Sequence, residues 1–241
     1  MLKALNSGAS GLNAQQLKVD VIANNIANIN TFGFKKCRAE FSELISQEIE
    51  KNGIPVENKD ASVGSGVRVA EAARNFSAGN IIETGRPLDL AVQGEGFFKV
   101  ILPTGEEKYT RDGAFNIDLN GNLVTAEGYL LDGVETAAGS EKLTVTADGT
   151  VKVEETEGNP EAGQITLYKF TNLNGLKAEG GNLFSYDQSA GEITSGTPGS
   201  EGFGTVRQGF LEAANIELVE EIANLIEAQR SYGFNARVVK S

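Results

Sequence analysis

The sequence predicts a mainly β protein whose α-helices lie only at its two ends. Apolar residues recur at helical spacing from Leu5 to Ile29 and again from Leu211 to Val239. Between Val67 and Phe210 the apolar period falls to two, and Asn-Gly and Asp-Gly pairs punctuate that stretch. Four segments follow: an N-terminal helix over 1–33, a connecting helix or extended arm over 34–66, a β-rich domain over 67–205, and a return segment with the second helix over 206–241.

Leu5, Gly8, Leu12, Gln15, Val19, Ile22, Ile26 and Ile29 share one helical face, and six of these eight are apolar, the seam of a helix that pairs with another. A second stripe, Leu17, Val21, Asn24 and Asn28, lies on the far side. A helix of this kind needs cover on two sides, and one partner covers one side, so the second points to an assembly. Asparagine is a poor helix former because its amide competes for backbone groups. For Asn24 and Asn25 the favoured role is an inter-helix amide contact that fixes register. For Asn28 and Asn30 two readings stand: interface contacts, or a fraying helix end before Phe32 with Gly33 as its left-handed cap.

In the C-terminal stretch Leu211, Leu218, Leu225, Tyr232 and Val239 recur every seven residues, with Ile222, Gln229 and Ala236 four beyond the middle three. Asn215 is placed to be the N-cap, Glu217, Glu220 and Glu221 lie early, and Arg230, Arg237 and Lys240 lie late, an order that suits the helix dipole.

In the connector, Cys37, Phe41, Leu44, Ile45 and Ile49 would share a helical face. Residues 54–66 form a turn-rich arm, and pairing of that arm with Lys35–Ile49 as a long hairpin fits equally. In the middle, strands are expected at Val67–Val69, Asn80–Thr84, Leu88–Val92 (apolar on even numbers) and Phe97–Leu102, with a tight turn or close backbone approach at Gln93-Gly94-Glu95-Gly96. Asn120-Gly121 and Ala147-Asp148-Gly149 read as hairpin turns. Gln164–Phe170 reads as one more strand, and 172–205 as a Gly-, Ser- and Asn-rich return anchored by Leu176, Leu183, Phe184 and Phe203.

Composition excludes several classes. A net charge of −12 without a basic run argues against nucleic acid, and residues 1–40 are net positive, so the acidity belongs to the middle domain. Cys37 is the single cysteine, which rules out an intrachain disulfide, and with no histidine in the chain neither Cys–His nor Ser–His chemistry has its base. The turn aspartates form no calcium loop, Gly94-Glu95-Gly96 is no phosphate loop because no helix follows it, and Glu106-Glu107 and Glu154-Glu155 read as solvated faces. No catalytic equipment, metal or cofactor is implied. There is no secretory signal of the ordinary kind and no stretch long enough to span a membrane, so composition alone reads as cytosolic.

Three stretches then carry a resemblance. SGLNAQQLKVDVIANNIANINTFGFKK (Ser10–Lys36), QGEGFFKVILPTGEEKYTRDGAFNIDLNGNLVTAEGY (Gln93–Tyr129) and GTVRQGFLEAANIELVEEIANLIEAQRSY (Gly204–Tyr232) resemble, in family order, the motifs of bacterial flagellar rod and hook proteins. The last stretch and the short middle are most similar to the distal-rod branch, with proximal-rod members the nearest rivals and hook members carrying a longer middle. The resemblance implies a non-enzymatic subunit, exported by the flagellar type III apparatus without a cleaved signal, which overturns the cytosolic reading. It implies a tubular helical homopolymer with proximal-rod and hook proteins as neighbours, enclosed by bushing rings where an outer membrane exists. Terminal helices would pair as an antiparallel coiled coil inside the tube, with the β domain outward.

On that basis Leu5, Leu12, Val19, Ile22 and Ile26 would pack on Leu218, Ile222, Leu225, Ile226 and Tyr232. Gln16, Asn24, Asn25, Asn28 and Gln229 would make inter-subunit or register-setting contacts. The helices, interrupted by Gly8, Gln15 and Gly233, are expected to be marginal alone and to order on polymerisation. The family's last helix usually runs several turns beyond Ser241. Two readings from other classes compete: a carbohydrate-active β-domain enzyme, which leaves the terminal heptads unexplained, and a secreted β-rich binding module, which would stay monomeric.

Overall fold

A computed structural model describes residues 2–43, 66–134, 143–153 and 161–240. The chain forms two compact units: Met1–Ala27 with Cys37–Asn75 and Ile216–Ser241, and Asn28–Lys36 with Phe76–Asn215. The β-rich protein with a helix near each end is the fold class read from the sequence.

The first unit contains α1 (Leu2–Ala27) and α2 (Leu218–Lys240). They pack antiparallel: Gly8 faces Val239, Gly11 faces Asn235, and Asn25 lies against Glu221. Glycine lets the backbones close, since a Cβ on Gly8 would sit 2.7 Å from Val239 Cγ2 and one on Gly11 2.9 Å from Asn235 Nδ2. The buried positions of α1 are Ala14, Ile22 and Asn25, and those of α2 are Glu221 and Ala228. At about 100° per residue, that face of α1 is turned roughly a third of a turn from the Leu5–Leu12–Val19 stripe. Glu220 and Glu221 open α2 and Arg237 and Lys240 close it, as the dipole favours.

The helix ends differ from the sequence expectation. α1 stops at Ala27, so Asn28 and Asn30 lie in the turn beyond it. Gly33 is therefore not the cap of α1. Its φ of 69° serves a close approach: its N–H donates to Glu212 O at 2.8 Å, and a Cβ would sit 2.6 Å from the Asp112 nitrogen. Asn215 is not the N-cap of α2. Its Oδ1 accepts from Lys36 N at 2.7 Å and its Nδ2 donates to Ser77 O at 3.0 Å, while the helix begins at Leu218.

The connector also differs. Cys37–Glu43 is a strand, not a helix, and it pairs antiparallel with Val67–Arg74, from Cys37 opposite Arg74 to Glu43 opposite Val67. Half-buried Cys37 and Ala39 alternate with exposed Arg38 and Glu40, a period of two that outweighs the helical spacing. Apart from Gly66, the arm read over 54–66 as one side of a hairpin lies outside the described residues, as does the helical face from Leu44 to Ile49.

Among the described residues of the second unit, the largest sheet has nine strands. Its path runs 177–180, 183–185, 107–110, 97–101, 130–131, 123–124, 116–117, and Leu167–Phe170 pairs with both Phe97–Ile101 and Ile193–Gly196. Smaller sheets join 143–145, 150–153 and 161–164, then 205–208 with 90–93, and 210–212 with 81–83. The hairpins at Asn120-Gly121 and Asp148-Gly149 form with Ile117 opposite Leu123 and Val145 opposite Val151.

Three middle elements differ from expectation. Gln164–Phe170 is not one strand but the ends of two, Glu161–Gln164 and Leu167–Phe170, in separate sheets. The return over 172–205 carries strands at 177–180, 183–185 and 193–196. Leu90, Ala91 and Val92 are buried in succession rather than alternately, because both faces of this short strand are covered.

Leu90, Phe98, Phe115, Ile165 and Leu167 anchor the main core. Phe97, Tyr109, Phe170 and Phe184 form a second, aromatic cluster with edge-to-face contacts. Burial, with help from the Glu107 charge, pushes the Tyr109 phenol up to about 12. An acid whose folded pKa lies above its unfolded value contributes full stability below the unfolded value near 10 and loses it as pH rises through the folded one. Between pH 9 and pH 12 the wild type is expected to lose about 2–3 kcal/mol more stability than Tyr109→Phe. Urea midpoints measured across that range check this, and parallel curves for the two proteins would refute it.

Candidate assembly surface

Asn25 is the best-defined polar node of the helical unit. It lies on the α1 face that meets both α2 and the strand beginning at Cys37. Its Oδ1 accepts from Cys37 N at 2.9 Å, and its Nδ2 donates to Cys37 O at 2.8 Å and to Glu221 Oε2 at 3.1 Å. One amide thus uses its acceptor and both donors while fully buried. At the other end of α1, Ser10 Oγ accepts from Val67 N at 3.2 Å, so the helix is tied to the two-stranded ladder at two points.

The other residues singled out by sequence are distributed around the helices. Ile22 is buried, while Leu12, Val19, Ile26 and Leu225 are half-buried. Leu218, Ile222 and Ile226 are 45%, 44% and 46% exposed, and Leu5 and Tyr232 are exposed to a similar degree. Gln16 is exposed and donates to Asp20 Oδ1 of its own helix at 3.0 Å. Asn24 and Gln229 are also exposed, and half-buried Asn28 accepts from Thr31 Oγ1 at 3.2 Å. Val219, at 83% exposed, lies three and seven residues before Ile222 and Ile226, so α2 presents an apolar stripe to solvent. Small and polar side chains share the helix–helix contact with Val239, while several larger apolar ones on α2 are left exposed.

A buried ion cluster in the second unit had no counterpart in the sequence reading. Lys35 Nζ sits 2.6 Å from Glu212 Oε1 and donates to Ser77 O at 2.9 Å. Gly79 N donates to the same carboxylate oxygen at 2.7 Å, and Arg111 Nη1 lies 3.4 Å from Glu212 Oε2. Arg111 also donates to Val92 O and Gly94 O, and its Nε, without a hydrogen-bond acceptor, belongs to a guanidinium 5.1 Å from the centre of the Phe97 ring. Lys35 and Glu212 are 1% exposed. Burial holds the Lys35 ammonium below the ordinary lysine range, with Glu212 opposing. Glu212 is placed by the pairing of 210–212 with 81–83, and Gly79 admits that approach, since a Cβ there would lie 2.0 Å from Ala213 O. The cluster thereby joins the segment that follows α1 in sequence to the strand that precedes α2. Its one detectable signal was a glutamate inside the apolar run Phe210-Leu211-Glu212-Ala213-Ala214.

Among the described residues no group of three or more His, Cys, Asp or Glu side chains is placed to hold a metal, and no helix is long and apolar enough to cross a membrane. Cys37 is a free, half-buried thiol. The uncovered apolar stripe on α2 is the kind of surface that another protein covers, and buried ion pairs brace the backbone of the second unit.

Three family descriptions match the chain in order. Flagella basal body rod protein covers residues 5–35, the flagellar hook protein FlgE/F/G D1 domain covers 91–153, and the flagellar basal body rod FlgEFG protein C-terminal region covers 207–241. The flagellar basal-body rod protein FlgG of Borreliella burgdorferi is 42% identical over 100% of this chain and 95% of its own length. FlgG of Caulobacter vibrioides is also 42% identical, with the same coverage of both chains. The flagellar hook protein FlgE of Helicobacter mustelae is 46% identical over 55% of this chain but only 31% of its own length. The chain belongs to the flagellar basal-body rod protein family and is most similar to FlgG. Members of this family are structural proteins of the flagellar basal body, not enzymes, and they polymerise into the flagellar axial structure.

Proposed function

We propose that the chain is the subunit of the distal rod, the tubular shaft that carries motor torque to the hook. The observation that carries this is the end-to-end similarity to basal-body rod proteins, which the hook relative shares over less than a third of its length. In this reading α1 and α2 form an antiparallel coiled coil lining the tube, and the β-rich unit faces outward. Leu5, Leu218, Ile222, Ile226 and Tyr232, with Val219, are covered by neighbouring copies. Asn24, Asn28, Gln16 and Gln229 make amide contacts across those interfaces, and Asn25 sets the register within each copy. The subunit leaves the cell interior through the flagellar export apparatus without a cleaved signal. Its neighbours are proximal-rod and hook proteins, with bushing rings around the shaft where an outer membrane exists.

The test is negative-stain microscopy of the concentrated chain beside a copy lacking residues 1–30. Straight tubes from the intact chain alone are expected. Monomers from both, together with failure of the intact chain to restore motility in a rod-deficient cell, would favour the β-rich binding module instead.

A further inference from the structure

A cavity of about 360 Å³ opens on the β-rich unit, walled by Phe76, Phe97, Phe170 and Leu173. Its lining also carries two cations, Arg111 and Lys169, and one carboxylate, Glu95, which pairs with Lys169. Thr171, Asn172 and Asn174 add polar groups to the apolar walls, Arg111 is already paired with Glu212, and Lys169, 43% exposed, is the cation that a neighbour's carboxylate can reach.

The same unit carries a side chain of complementary character. Leu119, at the tip of the hairpin between Asn116–Ile117 and Leu123–Val124, is 100% exposed. Single exposed leucines are ordinary on protein surfaces, but this one stands on a braced turn. Asp118 Oδ1 accepts from Asn120 N at 2.9 Å and Asn122 N at 2.8 Å, and Gly121 N donates to Asp118 O at 3.1 Å. The Asn122 and Asn120 backbone bonds hold the Asp118 carboxyl below its ordinary range, so a fixed negative charge stands beside the leucine.

An open helical polymer needs heterologous contacts, in which a patch on one copy meets a different patch on the next, whereas like-to-like contacts close into dimers. A subunit of such a polymer therefore carries both a knob and a hole. We propose that Leu119 of one copy seats in the Phe76–Phe97–Phe170–Leu173 cavity of its neighbour, with Asp118 facing Lys169. The inference rests on the rod reading above and specifies a contact between outer domains that the helices do not supply.

The test uses full-length chains lacking the native thiol (Cys37→Ser), one bearing Leu119→Cys and the other Leu173→Cys. Both are expressed together with the Cys37→Ser parent in a rod-deficient cell, and the basal bodies are isolated and mildly oxidised. A reducible dimer, at least tenfold above that from either cysteine chain alone, is expected only when both are present. Leu119→Asp as the sole copy is expected to lower rod number at least tenfold while the circular dichroism of the monomer stays unchanged. Rods that contain both cysteine chains without that dimer overturn the contact and leave the rod reading standing. Absence of rods from the parent chain removes the rod reading and this inference with it.

Discussion

Replacing Glu212 by alanine is expected to destabilise the β-rich unit by about 3–5 kcal/mol, the cost of removing one partner from a buried ion pair. The carboxylate accepts from Lys35 and Gly79 and lies beside Arg111, and neither Lys35 nor Arg111 has water to turn to. Two desolvated cations would face each other with the charge between them gone. Lys35 can limit the loss by shedding its proton, because burial already lowers its pKa. In the variant that pKa falls further below the unfolded value of 10.5, so the unfolded chain binds more protons in the window between the two, and stability rises with pH there. Glu212→Ala should accordingly be least stable near neutrality and partly recover toward pH 10. Exchanging both partners, Lys35→Met with Glu212→Met, should restore at least half of the loss, since no lysine charge is then stranded. Urea unfolding measures all three proteins. A single Glu212→Ala variant within 1 kcal/mol of wild type would show that the cluster is not what holds these segments together.

The sequence revealed the features whose cause is local. The two helices follow from a repeat near 3.5 and the hairpins from Asn120-Gly121 and Asp148-Gly149, where turn chemistry and strand period lie within a few residues. What it hid depends on distant partners. Cys37–Glu43 is a strand because Val67–Arg74 lies beside it, and the apolar spacing from Cys37 to Ile49 carries no trace of that pairing. Apolar counting favours Leu5 and Leu12, whereas the close backbone approach of α1 and α2 also needs the small residues Gly8, Gly11 and Ala14, which such counting does not rank. Asn25 stood out as an odd residue in a helix, yet its bonds to the Cys37 backbone became visible only in three dimensions. Lys35 and Glu212 are 177 residues apart, and nothing in a single sequence couples them.

Val219→Asp is expected to abolish tube formation while leaving the monomer as stable as wild type, within about 0.5 kcal/mol. The position separates assembly from folding unusually well. Val219 is 83% exposed, so the valine contributes little to the isolated chain, and it lies in the first turn of α2, where an added carboxylate suits the helix dipole. A defect in assembly therefore cannot be assigned to a melted helix. In the tube the same side chain, with Ile222 and Ile226, would be covered by a neighbouring copy, and a desolvated, unpaired carboxylate there costs several kcal/mol at every subunit contact. Because each copy repeats the contact, even a few kcal/mol per interface raises the concentration needed for growth by more than a hundredfold, at 1.4 kcal/mol per factor of ten. Phe234→Ser, 61% exposed in wild type and near the other end of α2, tests whether the whole length of the helix is covered. Sedimentation velocity and thermal unfolding of the monomers, beside electron microscopy of concentrated samples, give both readouts. Tubes from Val219→Asp at the wild-type concentration would mean that this stripe faces solvent in the polymer, and the helix contacts between copies would have to lie elsewhere.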